Sequence, residues 1–235
     1  MRSVRGEVAE RIHTLVRDGL GYSRYLAHGG DWGALIGARL ADAHPDVVAG
    51  LHLTTPSVLP PPADMDDLDD TEQRYVERAL AWRARKGQHL FVQSAEPHSI
   101  AYGMHDSPVG LAGWLVGKYR AWSAGDDAFG QVFDRRSLCD FLTMYWATGT
   151  SHSSMRLYAG ELRNRWQPPP GRRIPGPVGV ALPPGEFLHP PRAFIERIAD
   201  VRHWTELPAG GHFAALEEPD LVAADLLTFA ADQDI

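Results

Sequence analysis

The 235-residue chain holds one cysteine, Cys139. A single thiol makes no disulfide within the chain and cannot build a thiolate metal cluster, which suits the reducing cytoplasm. No stretch approaches the roughly eighteen apolar residues of a membrane-spanning helix. The opening "MRSVRGEVAERIHTLVRDGLG" is charged throughout and lacks the apolar core of an export signal. Positive charge is also short: 23 Lys and Arg face 30 Asp and Glu, a net charge of −7. Without clustered cations there is no footprint for nucleic acid or anionic lipid. Internal repeats are absent, as is the GxGxxG spacing of a dinucleotide site. With 44% hydrophobic and 23% charged residues, the chain reads as one soluble globular unit with an inserted subdomain.

Val4, Val8, Ile12, Leu15 and Val16 recur at helical spacing, and Gly19 and Gly21 follow as stops, so the chain opens with an amphipathic helix. "RYLAH" (24–28) is a short strand candidate, residues 34–43 turn helical before Pro45, and "VVAGLHL" (47–53) reads as a buried strand. Strand, Gly-rich turn, helix and strand make a βαβ unit of a parallel sheet. Prolines 60, 61 and 62 and the acidic run "ADMDDLDDTEQ" (63–73) then lead into a long helix through Arg85, with the negative charges at its N-terminus, where the dipole favours them. The spacing predicts a core segment over 1–58, a helical lid over 59–165 and a second core segment over 166–235. "QPPPGRRIPGP" (167–177) marks the return to the sheet, "VGVAL" (178–182) and "VRHWTEL" (201–207) are its last strands, and a helix over about 220–229 closes the chain.

The residues that carry chemistry sit at the sharp turns. Gly29-Gly30-Asp31-Trp32-Gly33 fits the small-x-nucleophile-x-small pattern of a strand-to-helix elbow, in which close backbone approach demands small residues. Asp31 could instead only cap the helix. A phosphate cradle is a poor fit, since a carboxylate at that helix N-terminus repels anions. An aspartate there can attack carbon and form an ester, whose hydrolysis calls for a histidine and an orienting carboxylate. His212, in "PAGGHFAALEEPD", follows the last strand, and Glu186, in "ALPPGEFLH", follows the strand at 178–182. Both fall on the C-terminal edge of the sheet, where open α/β sheets place their sites. Glu196 and Asp200 compete with Glu186 but read as surface charges.

The elbow, the run "MYWATGTSHSSMRLYAG" (144–160), "GEFLH" (185–189) and "GGHFAALEEP" (210–219) together resemble epoxide hydrolases of the α/β-hydrolase fold, in the branch of the microsomal and juvenile-hormone enzymes and their bacterial relatives. The resemblance covers nearly the whole chain. It implies an α/β-hydrolase fold, here a truncated parallel sheet of about four strands with an inserted helical lid. It also implies conversion of an apolar epoxide to a vicinal diol without cofactor or metal. Asp31 is then the nucleophile, His212 the general base, Glu186 its orienting acid and Tyr158 the lid phenol that serves the departing oxygen. Haloalkane dehalogenation also uses an elbow aspartate, and Trp32 could hold a halide, but a phenol suits an oxygen leaving group better.

Two features depart from the family. A second lid tyrosine is expected in a segment that here reads "GQHLFVQSAEPHSI" (87–100), with His89 at its position; His89 is either a replacement donor or a surface histidine of the lid. The family also places four strands and a His-Gly-x-Pro loop before the elbow, and this chain has only a helix there. Trp32 N–H is then one oxyanion donor without its partner. The strand at 24–28 becomes a sheet edge that invites homo-oligomerisation. An upstream start, an inactive remnant and a protein completed by a partner chain are the three ways to read that beginning.

Overall fold

The computed structural model describes residues 4–59, 61, 65–169 and 171–233. Residues 1–3, the terminal residues 234 and 235, and Pro60, Pro62, Ala63, Asp64 and Pro170 of the two proline-rich junctions lie outside them.

The chain runs α1 (Val4–Thr14), β1 (Tyr25–Gly29), α2 (Trp32–Ala43) and β2 (Val48–Leu53), then seven helices: α3 (Asp70–Lys86), α4 (Gln88–Ala95), α5 (Pro97–Asp106), α6 (Pro108–Trp122), α7 (Asp126–Val132), α8 (Arg135–Thr148) and α9 (Ser151–Arg163). It closes with β3 (Ile174–Leu182), α10 (Arg192–Glu196), β4 (Ala199–Glu206), α11 (Ala214–Glu217) and α12 (Pro219–Ala231). The strands form one parallel sheet in the order β1-β2-β3-β4. Gly29 lies opposite Leu53, Leu53 opposite Val180 and Val180 opposite Trp204. The strands therefore end nearly level, and the loops that follow them meet at one edge.

Side chains on β2 alternate between two unlike faces. Leu51 and Leu53, fully buried, face α2 with Val178 and Val180 of β3, and α10 adds Phe194 and Ile195 to the same aliphatic core. Burying each such side chain contributes roughly 1.5–3 kcal/mol. α2 can lie close because it presents Ala34, Ala38, Ala41 and Gly37, and a Cβ at Gly37 would come within 2.6 Å of Leu51. On the other face, Phe229 of α12 lies over Gly50 and Gly179, where a Cβ would approach its ring to 3.1 and 2.9 Å. That face also holds a polar chain. His28 and His52 approach through their Nδ1 atoms at 2.9 Å, His52 Nε2 reaches Asp225 Oδ2 at 2.8 Å, and Asp225 Oδ1 meets His203 Nε2 at 2.9 Å.

The helical block between β2 and β3 has a small core of its own around Ala101, Met104, Leu111 and Met155. It is tied to the sheet domain near both ends. Asp69 caps α3 by accepting from the N–H groups of Thr71 and Glu72, and the Glu72 carboxylate accepts from Asp69 N–H in return, a capping box. The same buried carboxylate accepts from the Arg197 guanidinium at 2.7 Å, beside α10. At the far end the buried Arg5 of α1 pairs with Glu161 of α9.

Several boundaries move. The opening α-helix ends at Thr14 and not Val16, and Leu15–Gly19 form a wider π-turn with no buried residue to hold them in register. The first strand begins at Tyr25 and ends at Gly29. β3 starts at Ile174, inside the Pro-rich stretch read as a connection. Pro175 and Pro177 are tolerated because β2 pairs only with residues 178–180, upstream of which no ladder N–H is needed on that side. β4 spans Ala199–Glu206, two residues earlier than the pattern suggested at its start. Among the described residues no helix is long and apolar enough to cross a membrane.

Candidate active site

Asp31 follows β1 by one turn and sits at the N-terminus of α2 with φ 44° and ψ −117°, the one non-glycine residue with positive φ among the described residues. Such a backbone is strained for an L-residue, and it aims the carboxylate away from the helix it precedes. Its side chain makes no cap hydrogen bond, so the capping alternative fails on geometry. Gly29 and Gly30 make the turn possible. A Cβ at Gly29 would sit 2.5 Å from the Gly33 backbone, and one at Gly30 would sit 2.7 Å from Thr54 Oγ1. Gly33 itself has open space where a Cβ would go, so the tightness at that end belongs to its backbone.

His212 faces this carboxylate, with Nε2 3.1 Å from Asp31 Oδ2. Its Nδ1 lies 3.1 Å from each oxygen of Glu186. The Glu186 carboxylate is fixed in turn, accepting from Thr55 Oγ1 at 3.0 Å and from Phe187 N–H at 2.7 Å. The loops that carry these residues interlock. Gly210 adopts φ +100° before His212, and its carbonyl accepts from Gly185 N–H at 2.9 Å. His212 N–H donates to the Trp122 carbonyl at 3.0 Å, and its ring stacks on Phe187 at 4.3 Å between centroids. Burial alone would lower the His212 pKa. The hydrogen bonds and negative charges of Asp31 and Glu186 outweigh that and raise it to about 9.

A cavity of about 480 Å³ opens above Asp31, within the range of small-molecule sites. Tyr158 of α9 and His89 of α4 both line it. Trp32 meets the Tyr158 ring edge-on at 5.0 Å, and His89 lies 6.1 Å from Tyr158 by centroids. Burial first and the Asp31 charge second raise the Tyr158 pKa, so the phenol keeps its proton at neutral pH. His89 is buried, which overturns its reading as a surface histidine of the lid. Burial and the nearby Lys118 charge push its pKa down to about 4, so it faces the cavity as a neutral imidazole. Of the three tryptophans singled out in the helical block, Trp114 and Trp122 line the cavity, whereas Trp146 is 38% exposed and lies near His105.

The chain order of Asp31, Glu186 and His212 and the level strand ends bring these three side chains together. Glu196 and Asp200 lie elsewhere, paired with Arg192 and Arg202 at the surface. Sequence reasoning missed Thr55, which holds Glu186 from the end of β2; a threonine just past a strand on the site edge is the signal that could have found it. It also missed Gln93, which lies in the same segment as His89 (87–100), and Lys118, which lies on a helix without any motif; both are on the cavity wall. The elements before β1 are α1 and the π-turn, so among the described residues no strand precedes β1.

The family profile for the alpha/beta hydrolase fold matches residues 5–113. A Stigmatella aurantiaca protein with a provisional epoxide hydrolase name is 33% identical over 208 residues, covering 88% of this chain and 47% of that protein. Epoxide hydrolase 1 of Sus scrofa is 29% identical over 247 residues, covering 94% of this chain and 54% of its own length. The crystal structure of juvenile hormone epoxide hydrolase from the silkworm Bombyx mori superposes with a TM-score of 0.76 at 25% identity, over 98% of this chain and 55% of that one. The chain spans about half the length of the curated relatives it matches. The chain has the α/β-hydrolase fold, and these three relatives carry epoxide hydrolase names.

Proposed function

We propose that this chain carries the catalytic centre of an epoxide hydrolase that opens an epoxide to a vicinal diol through an ester on Asp31. The observation that carries this reading is His212 held 3.1 Å from Asp31 and backed by the buried Glu186, beneath a cavity that Tyr158 closes. The Asp31 carboxylate attacks one oxirane carbon, that C–O bond breaks, and the departing oxygen takes a proton from the Tyr158 phenol. A phenol is needed because an alkoxide leaves poorly on its own. The ester is then hydrolysed by water that His212 deprotonates, and the carbonyl oxygen gathers negative charge near Trp32 N–H at the start of α2. His212 suits both steps. Its proton is held by two carboxylates in the free protein; esterification removes the Asp31 charge and lowers its pKa, so that proton passes through solvent to restore the Tyr158 phenol and leaves a neutral imidazole to act as a base.

The helical block acts as the lid over this centre, with residues 59–165 as its extent. β1, at the edge of the described sheet, is where a second chain would add in a homo-oligomer. Styrene oxide and a bromoalkane offered side by side test the reaction class. Diol without halide is the expected result, and halide without diol would make the chain a dehalogenase. Tyr158→Phe lowers epoxide opening by about 100-fold or more while leaving preformed ester hydrolysis nearly untouched.

A further inference from the structure

One wall of the cavity has a charge without a counterpart. Trp114, Lys118 and Trp122 follow one another at four-residue spacing on α6, so they project from one helix face, and all three line the cavity. Lys118 Nζ sits 4.0 Å from the Trp114 ring centroid and 5.7 Å from that of Trp122. Lys118 is half-buried and, among the described residues, is the only Lys or Arg on the cavity wall. Among the described residues no acidic side chain forms an ion pair with it, and burial lowers its pKa from the usual 10.5. Among the described residues Asp31 is the only carboxylate lining the cavity, and it is engaged by His212. The indole faces favour the cation through their quadrupoles but give its N–H groups no acceptor. A partly desolvated ammonium that lacks an acceptor favours an anion brought by the ligand.

We propose that Lys118 recognises a carboxylate on the substrate, so that the epoxide taken by this cavity is amphipathic: an apolar body with its acidic group between Trp114 and Trp122 and its oxirane at Asp31. This rests on the epoxide hydrolase reading above. A carboxylate fits better than a phosphate ester, because one cation balances one negative charge and a second would face the Asp31 carboxylate uncompensated. The rest of the wall, including Leu115, Met155 and Leu157, suits the apolar body.

The test compares terminal epoxy fatty acids with their methyl esters on the full chain, its Lys118→Met variant and its Lys118→Arg variant. The unaltered chain prefers the acid over the ester by about tenfold in kcat/KM, mostly through KM, as one charge-assisted hydrogen bond would give. Lys118→Met loses that ratio, and Lys118→Arg keeps it. Equal use of acid and ester, or an acid preference that survives Lys118→Met, overturns the proposal. Tryptophan fluorescence titration with a saturated fatty acid and its methyl ester separates this from the chemistry. If no epoxide is opened, the hydrolase reading fails, yet acid-selective binding that Lys118→Met abolishes still supports the carboxylate site, and equal binding of acid and ester overturns it.

Discussion

Two buried histidines in this molecule each contact a carboxylate, and they titrate in opposite directions. His212 lies between two carboxylates, Asp31 and Glu186, and its pKa rises to about 9. His52 lies between one carboxylate, Asp225, and another imidazole, His28, and burial wins, so its pKa falls below 6.5. Both rings are at least nine-tenths buried by exposure, at 8% and 0%. Burial is therefore not what separates them; the number of charges aimed at the ring is. One face of the sheet holds a neutral histidine that joins strands to α12, and its C-terminal edge holds a charged one between two carboxylates.

Glu186→Gln breaks the comparison most sharply, because it leaves His212 with one carboxylate, as His52 has. It lowers the His212 pKa, seen by NMR titration, and slows ester hydrolysis by about three to four orders of magnitude, seen in single turnovers. Asp225→Asn acts on the other histidine. It costs about 1–3 kcal/mol of stability in denaturant unfolding by leaving a buried partner unsatisfied, while the His212 pKa stays where it was. Thr55→Val is gentler, removing one donor to Glu186 and slowing ester hydrolysis by about fivefold to tenfold.

In the pH dependence of stability the two histidines have opposite signs. The folded chain holds a proton on His212 that the unfolded chain releases between 6.5 and about 9. This stabilisation is fully present below 6.5 and lost as pH rises through about 9. His52 is neutral when folded and binds a proton once unfolded, so its contribution is present above 6.5 and lost as pH falls. Thermal unfolding across this range checks both limbs: a His212→Ala variant loses the alkaline one, and Asp225→Asn alters only the acid one.

Much of this was legible in the sequence because it is local or ordered. The elbow, the strands after it and the helix that closes the chain follow from period and punctuation, and Glu186 and His212 follow from lying just past successive strands of a parallel sheet. What escaped depends on contacts between distant residues. His52 reads as one more member of a buried strand, and only the approach of α12 gives it Asp225. Arg5 and Glu161 look like ordinary helix-surface charges until α1 packs on α9, which buries Arg5 against the partly exposed Glu161. Prolines 175 and 177 signal a connection correctly in most settings, and they misled here because β3 begins against one neighbour only. His89 was ambiguous in sequence because its exposure is set by how the helical block folds over the elbow.

The central claim is that Asp31 takes up the substrate and His212 releases it. Intact-mass analysis of His212→Ala after incubation with styrene oxide tests it directly. The account predicts a stable adduct of one epoxide mass, mapped by peptide digestion to Asp31 and absent when Asp31→Ala is added. No adduct, or an adduct that persists without Asp31, would contradict it.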